Sequence, residues 1–160
     1  MNIFYLDKSA VISAQYMCDK HVVKMILESA QLLCTAHHLC PTDAVRPEKF
    51  YKKTHYNHPS AVWARASADN YLWLTAHAKA LLSEYTYRYD KQHASTSVIM
   101  WCSANIPDIP NGKLTEMPQC MPDEYKSKDS VVAYRRYYNG AKSHLHDWKR
   151  RQVPDWITTI

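Results

Sequence analysis

Residues 19–28 read Asp19-Lys20-His21-Val22-Val23-Lys24-Met25-Ile26-Leu27-Glu28, and the helix that they begin decides the fold. At about 100° per residue, one side of this helix collects apolar side chains: Val22, Val23, Ile26, Ala30 and Leu33. Polar side chains fall within an arc of roughly 100° on the other side: His21, Lys24, Glu28, Gln31, Thr35 and His38. We therefore predict one long helix with a core face and a polar face.

The polar face has an unusual composition for a solvated helix. Solvated helices usually carry several Glu/Lys pairs four residues apart, whereas this face has one carboxylate among two histidines, a lysine, an amide and a hydroxyl. Positive charge on Lys24 and His21 would favour the ionised form of Glu28, which general acid/base catalysis can use. The alternative is that Glu28 is an ordinary surface partner of Lys24.

The rest of the pattern predicts a mainly α protein with a single compact domain over residues 1–160. Three main helices are expected, over about residues 9–38, 61–87 and 130–139, and the second has a candidate break near Ser67. The apolar residues 3–6 form either a strand or an arm packed near the first helix. Prolines make residues 39–60 and 103–128 long irregular connections.

Composition excludes several classes of protein. With 46% hydrophobic and 22% charged residues, and no apolar run near the ~20 residues of a membrane span, the chain reads as an ordinary globular protein. The first residues lack a basic leader, so we expect a cytoplasmic location and no contact with membranes. Five cysteines without a C-x-x-C spacing predict reduced thiols.

The sequence also offers little for a metal or a cofactor. His55 and His58 have a spacing that could supply two zinc ligands, but no cysteine pair or H-E-x-x-H helix completes a set of four. Only two glycines are present, which excludes glycine-rich phosphate loops. We expect no metal and no cofactor.

Positive charge is concentrated near the end of the chain. Residues 126–151 hold eight lysines and arginines against two acids, interleaved with Tyr134, Tyr137, Tyr138 and Trp148. Cations neutralise phosphates and aromatic rings stack on bases, so this segment predicts a nucleic-acid surface, with Arg135 and Arg136 as candidate contacts. The alternative is a solvated basic helix with half-buried tyrosines.

Two further positions are candidates for substrate contact. Arg88 lies among three tyrosines, at positions 85, 87 and 89, a combination that can stack a base or bind a phosphate. His58 and Asn57 lie in a polar and aromatic stretch over residues 51–59, and we expect one of the two to border the site near the first helix. A helix end and a solvated loop are the respective alternatives.

The spacing of Asp19, His21 and Glu28 on the first long helix, behind a short N-terminal arm, resembles the phage pyrimidine-dimer DNA glycosylases of the endonuclease V type. Those proteins have a D-x-H motif followed by a glutamate at the same spacing. The later outline is also similar, with a second amphipathic helix, a proline-rich segment, a third helix and a basic, aromatic C-terminal part. The specific match covers about ten residues.

This resemblance implies a compact helical enzyme that flips a nucleotide out of damaged double-stranded DNA. In the family the N-terminal α-amine attacks the sugar C1′ and forms a Schiff base, and β-elimination then cuts the strand. Glu28 would assist base departure and proton transfer, and His21 would lie in the DNA-contacting site. The nucleophile here would be the amine of Met1, or that of Asn2 if Met1 is removed.

The chain departs from the family pattern at three positions. Leu27 and Gln31 stand where the family has arginines, so Lys20 and Lys24 would have to replace two phosphate contacts, with Gln31 as a neutral contact. Asn2 stands where the family has a small residue.

We therefore expect a monomeric DNA-repair glycosylase acting on damaged or modified pyrimidines, with AP-lyase activity as a further expectation. The expected partner is damaged or modified double-stranded DNA, in the cytoplasm of a bacterial host if the chain is phage-encoded. Two alternatives stay open at this point. One is an N-glycosidase or modifying enzyme that acts on free nucleotides, and the other is a non-catalytic nucleic-acid-binding protein.

Overall fold

The computed structural model describes residues 1–158, and within this range it contains helices but no strand, which confirms the mainly α prediction. There are six α-helices: α1 Ala10–Tyr16, α2 Asp19–Leu39, α3 Pro59–Ala64, α4 Ala68–Tyr89, α5 Thr96–Ala104 and α6 Ser130–Asn139. Two short 3₁₀ turns occur at Asp123–Tyr125 and Ser143–Leu145. No helix of the described part is both long and apolar enough to cross a membrane.

The first predicted helix is two helices, because the backbone is extended at Met17 and Cys18. The cause is a side chain distant in sequence. The Arg88 guanidinium donates to the carbonyl oxygens of Gln15 (3.0 Å) and Met17 (2.8 Å) at the end of α1. It also donates to Oδ1 of Asp19 at 2.9 Å, in the first turn of α2. These bonds satisfy carbonyls that a continuing helix would have used.

Apart from His21, which is buried against Phe4, the faces of α2 follow the prediction with two exceptions. Val22, Ile26 and Leu33 are buried in the core as expected. Val23, predicted to lie in the core, is 39% exposed, and Thr35, predicted on the polar face, is fully buried against the 39–58 connection. Exposure at these two positions depends on which other segments pack on α2. The periodicity of the helix does not encode those segments.

The second predicted helix is divided at the expected place. Ser67 caps α4 by accepting a hydrogen bond from the Asn70 amide, and α3 ends at Ala64. The third predicted helix has the bounds of α6, and Asp129 caps it. Its end at Gly140 is not left-handed (φ −89°). An added Cβ there would lie 2.5 Å from the ring of Tyr125, which would have to shift.

Sequence reasoning missed α5. This helix is nine residues long and lacks a side-chain cap at Ser95, so neither length nor capping marks it. It buries Val98, Ile99 and Cys102 between α4 and α2, and it closes the core beside His37.

The N-terminal residues form an irregular arm and not a strand. Ile3, Phe4 and Leu6 are buried, and the ring of Phe4 stacks on His21 of α2 with centroids 4.2 Å apart. The same ring meets Tyr138 of α6 edge to face at 5.7 Å. The arm therefore joins α2 to α6, as predicted for its position near the first helix.

A buried network of charges lies below this arrangement. Arg88 is fully buried and also donates to Glu84 Oε2 at 3.0 Å, while Arg151 pairs with the same carboxylate from the C-terminal segment. Asp19 accepts from the backbone amide of Lys149. The network connects α1, α2 and α4 with the segment around Lys149 and Arg151.

We expect Arg88→Met to lower the free energy of unfolding by about 3–5 kcal/mol, because it leaves buried carboxylate oxygens without their cation. Urea denaturation measures this. Arg150→Met is the matched control, since Arg150 pairs with the largely exposed Asp90, and it should leave stability unchanged. Equal stability of the two variants would contradict the importance of the network.

Candidate active site

The backbone nitrogen of residue 2 lies against Glu28. The Asn2 amide donates to Glu28 Oε2 at 3.0 Å, and the Lys24 ammonium lies 3.8 Å from Oε1 of the same carboxylate. The Glu28 side chain is 15% exposed, whereas that of Lys24 is 69% exposed. The surface pair between Lys24 and Glu28 therefore exists, but the other carboxylate oxygen faces the start of the chain.

The side chain of Asn2 holds this nitrogen in place. Its Oδ1 accepts hydrogen bonds from the amides of Ile3 (2.8 Å) and Phe4 (3.2 Å), and its Nδ2 donates to the Cys120 carbonyl at 2.9 Å. The turn ends at Phe4 with φ 59°, a left-handed conformation that non-glycine residues seldom adopt. Strained backbone of this kind is common at functional sites.

These groups line a cavity of about 240 Å³. Its walls come from the N-terminal arm, from α2 and from the C-terminal part of the chain. The lining residues are Met1, Asn2, Phe4, His21, Lys24, Met25, Glu28, Cys120, Tyr137 and Lys142. Larger cavities elsewhere on the surface do not combine a carboxylate with the start of the chain.

His21 lies at the back of this cavity and is only 4% exposed. Its Nδ1 is hydrogen-bonded to the Tyr138 hydroxyl at 2.7 Å. Burial, and then the nearby charge of Lys142, lowers the pKa of His21 from 6.5 to about 3. The imidazole is therefore neutral at physiological pH. The expectation that His21 places positive charge beside Glu28 was wrong.

Of the other candidates, His58 and Gln31 lie near the cavity, whereas Lys20 does not line it. His58 caps α3 by accepting from the Ser60 amide, and its pKa is lowered by burial and by the positive N-terminus, while Glu28 raises it. Gln31 lines a second cavity of about 420 Å³ that shares Lys24 and Glu28 with the first. Lys20 is exposed in the first turn of α2.

Arg88 does not contact solvent. Its guanidinium is fully buried and every nitrogen donates to an atom of the protein, so the prediction that it stacks a base or binds a phosphate was wrong. A single arginine among three tyrosines signalled a buried ion pair here. Sequence pattern does not distinguish these two environments.

Much of the charge in residues 126–151 is also used within the protein. Arg135 pairs with Asp7 at 3.1 Å, donates to the Leu6 carbonyl and lies over the ring of Trp156. Arg136, the next residue, is exposed. A DNA contact by either arginine stays a prediction. Arg136 is the better candidate of the two, because its side chain is exposed.

Sequence reasoning did not single out Cys120, Tyr137 or Lys142 as site residues. Tyr137 and Lys142 were visible only as members of a basic, aromatic segment, and no signal marked Cys120. All three come to the cavity through the packing of α6 and its flanking segments against the arm.

Acid should destabilise this site in a way that depends on His21. Because the folded protein binds a proton on His21 less readily than the unfolded chain, its contribution to stability is full above pH 6.5 and is lost as the pH falls from 6.5 towards 3. Between pH 7.5 and pH 5 the loss should be on the order of 2 kcal/mol for this residue. Urea denaturation of the parent and of His21→Gln measures it, since the variant should lose less stability on acidification.

The His21 ring resonances give a second measurement. Their NMR shifts should stay those of a neutral imidazole down to pH 5. A transition near pH 6.5 would contradict the buried, neutral state.

Comparison with known proteins tests the resemblance. A family model described as pyrimidine dimer DNA glycosylase matches residues 1–97. The match includes the arm, α2 with Glu28, and α4 with Arg88 and Glu84. No curated protein and no solved structure matches the chain. Because the matched segment is more than half of the 160 residues, the chain belongs to the pyrimidine dimer DNA glycosylase family.

Proposed function

We propose that this chain is a DNA-repair glycosylase that removes damaged or modified pyrimidines from double-stranded DNA and then cuts the strand as an AP lyase. One observation carries the proposal. The nitrogen of residue 2 lies 3.0 Å from Glu28 at a cavity that Lys24 and Lys142 also line. A nitrogen beside a carboxylate suits attack on a sugar carbon with proton transfer to or from the carboxylate.

The nucleophile depends on the state of the N-terminus. While Met1 is attached, the nitrogen of Asn2 is an amide and not a nucleophile, so the free amine is that of Met1, which lines the same cavity. Removal of Met1 would turn the nitrogen already in contact with Glu28 into a primary amine. We propose that one of these two amines attacks the substrate.

In the proposed first step the amine forms a bond to C1′ of the flipped nucleotide. The glycosidic bond breaks, and the base departs with its electron pair and gains a proton. Loss of a proton from the amine nitrogen leaves an aminal at C1′; the C1′–O4′ bond then breaks, O4′ gains a proton, and a protonated Schiff base joins the protein to the opened sugar. Glu28, in contact with the nitrogen of residue 2, would accept the amine proton, return it to O4′ and stabilise positive charge that develops on the sugar.

In the second step a base removes a proton from C2′ of the Schiff base. The C3′–O bond breaks and the 3′ phosphate leaves with the electron pair, so that the strand is cut. Water then hydrolyses the Schiff base and restores the amine. Neutral His21 supports this site from behind by holding the ring of Phe4, and therefore the turn of the arm.

DNA would approach over the exposed cations near the cavity. We propose phosphate contacts by Lys20, Lys24 and Arg136, because these side chains are exposed. Gln31 and His58 would lie beside the processed nucleotide. Arg135 would act through Asp7 and the arm, given its internal bonds.

The proposal is tested by incubation with ultraviolet-irradiated and intact duplex DNA, followed by measurement of base release and nicking. Glu28→Gln keeps size and hydrogen bonding but removes the charge, so turnover should fall by roughly a hundredfold or more while DNA affinity changes little. Glu124→Gln changes an exposed glutamate in the 3₁₀ turn and is the matched control.

Three outcomes separate the functions considered. Release from duplex DNA that depends on Glu28 supports the proposal. Activity on free nucleosides but not on duplex would favour an N-glycosidase, and binding without any base release would favour a non-catalytic DNA-binding protein. A Gln variant as active as the parent would remove Glu28 from the mechanism.

The lyase step predicts a covalent intermediate. Borohydride should trap a protein–DNA adduct, and mass spectrometry should place it on the N-terminal residue, whether Met1 or Asn2. An added N-terminal tag should abolish trapping while folding is preserved. Base release without an adduct would indicate a monofunctional glycosylase that uses water, and an adduct on Lys24 would move the nucleophile onto α2.

A further inference from the structure

Lys142 lies outside the segment that the family model matches, and its side chain lines the cavity together with Glu28. Its ammonium is 5.0 Å from the ring centroid of Tyr137 and 6.0 Å from that of Phe4. These two rings are nearly parallel, with centroids 6.1 Å apart. Aromatic faces attract the cation and hold it at the cavity, but they do not neutralise its charge.

Lys142 forms no ion pair with a carboxylate in the described part of the chain. No carboxylate oxygen of residues 1–158 lies within 4.0 Å of its ammonium. Four other cations of the 126–151 segment are paired in this way, and the pairs are Lys126–Asp123, Arg135–Asp7, Arg150–Asp90 and Arg151–Glu84. Among the cations of this segment without such a pair in the described residues, Lys142 is the one that lines the cavity.

The charge nevertheless acts on the site. After burial itself, Lys142 is the largest cause of the lowered pKa of His21, ahead of Lys24. Lys24 already has a partner in Glu28, the only carboxylate among the described residues that line the cavity. A DNA strand entering this cavity brings phosphates towards a carboxylate, and an unpaired cation that lines the same cavity would offset that repulsion.

We propose that Lys142 binds the backbone phosphate next to the nucleotide whose sugar enters the cavity. This inference rests on the proposed function, and it gives the C-terminal part of the chain a role in positioning the substrate. Lys142 lies over the rings of Tyr137 and Phe4, and Phe4 belongs to the arm whose Asn2 amide contacts Glu28, so the phosphate contact would form beside that bond.

The first test measures affinity for a duplex that carries a tetrahydrofuran abasic analogue, as a function of salt. Lys142→Met should weaken binding about tenfold and should flatten the slope of log affinity against log salt by about one unit, since one phosphate contact is lost. Lys142→Arg should restore both values. Lys149→Met is the matched control, because Lys149 also lies over a tyrosine ring but does not line the cavity.

The second test identifies the phosphate. Neutral methylphosphonates replace, one at a time, the phosphates on the 3′ and 5′ sides of the analogue. One replacement should weaken binding by the parent and have no further effect on Lys142→Met, which assigns that phosphate to the lysine. If Lys142 had only a structural role, Lys142→Met would keep the salt slope of the parent. Each methylphosphonate would then weaken binding by the variant as much as it weakens binding by the parent.

The outcomes distinguish this inference from the proposed function. If the parent processes irradiated duplex but Lys142→Met keeps the parent slope, or loses no more than Lys149→Met, the assignment of Lys142 is overturned and the glycosylase proposal stands. If the parent neither binds nor cleaves any of the duplexes, both proposals fail. Independent effects of the methylphosphonates and Lys142→Met also overturn the assignment.

Discussion

The buried guanidinium of Arg88 sets the geometry on which the rest of the structure depends. It satisfies the last carbonyls of α1, pairs with Asp19 at the start of α2, and shares Glu84 with Arg151 of the C-terminal segment. A buried cation of this kind must have all of its donors satisfied, so each connected segment has one allowed position. The start of α2 is thereby fixed, and with it the direction in which Glu28, two turns further on, faces the N-terminal arm.

The candidate site depends on a second constraint, which is the way the arm returns to α2. Asn2 forms a turn with its own backbone and reaches the Cys120 carbonyl, and the left-handed backbone of Phe4 directs the ring between His21 and Tyr137. In this chain the side chain itself keeps the backbone nitrogen at the carboxylate.

Electrostatics separate the supporting groups from the groups that can meet DNA. His21 is neutral because it is buried, and Arg88, Arg135 and Arg151 are neutralised by carboxylates. Among the described residues, Lys24 and Lys142 are the cations that line the cavity and can meet a phosphate there. The positive charge of residues 126–151 therefore predicted a larger DNA-binding surface than the structure leaves available, since several of these cations form ion pairs within the fold.

Periodicity, caps and prolines in the sequence were sufficient for the helical class, the break at Ser67, the bounds of α6 and the polar face that carries Glu28, because these features depend on neighbours within a turn or two of helix. The division of the first helix, the burial of Arg88, the neutral state of His21 and the placement of Lys142 at the cavity were decided by tertiary structure. Each of them depends on a partner about 70 or more residues away or on exclusion of water by packed segments, and no local pattern encodes either.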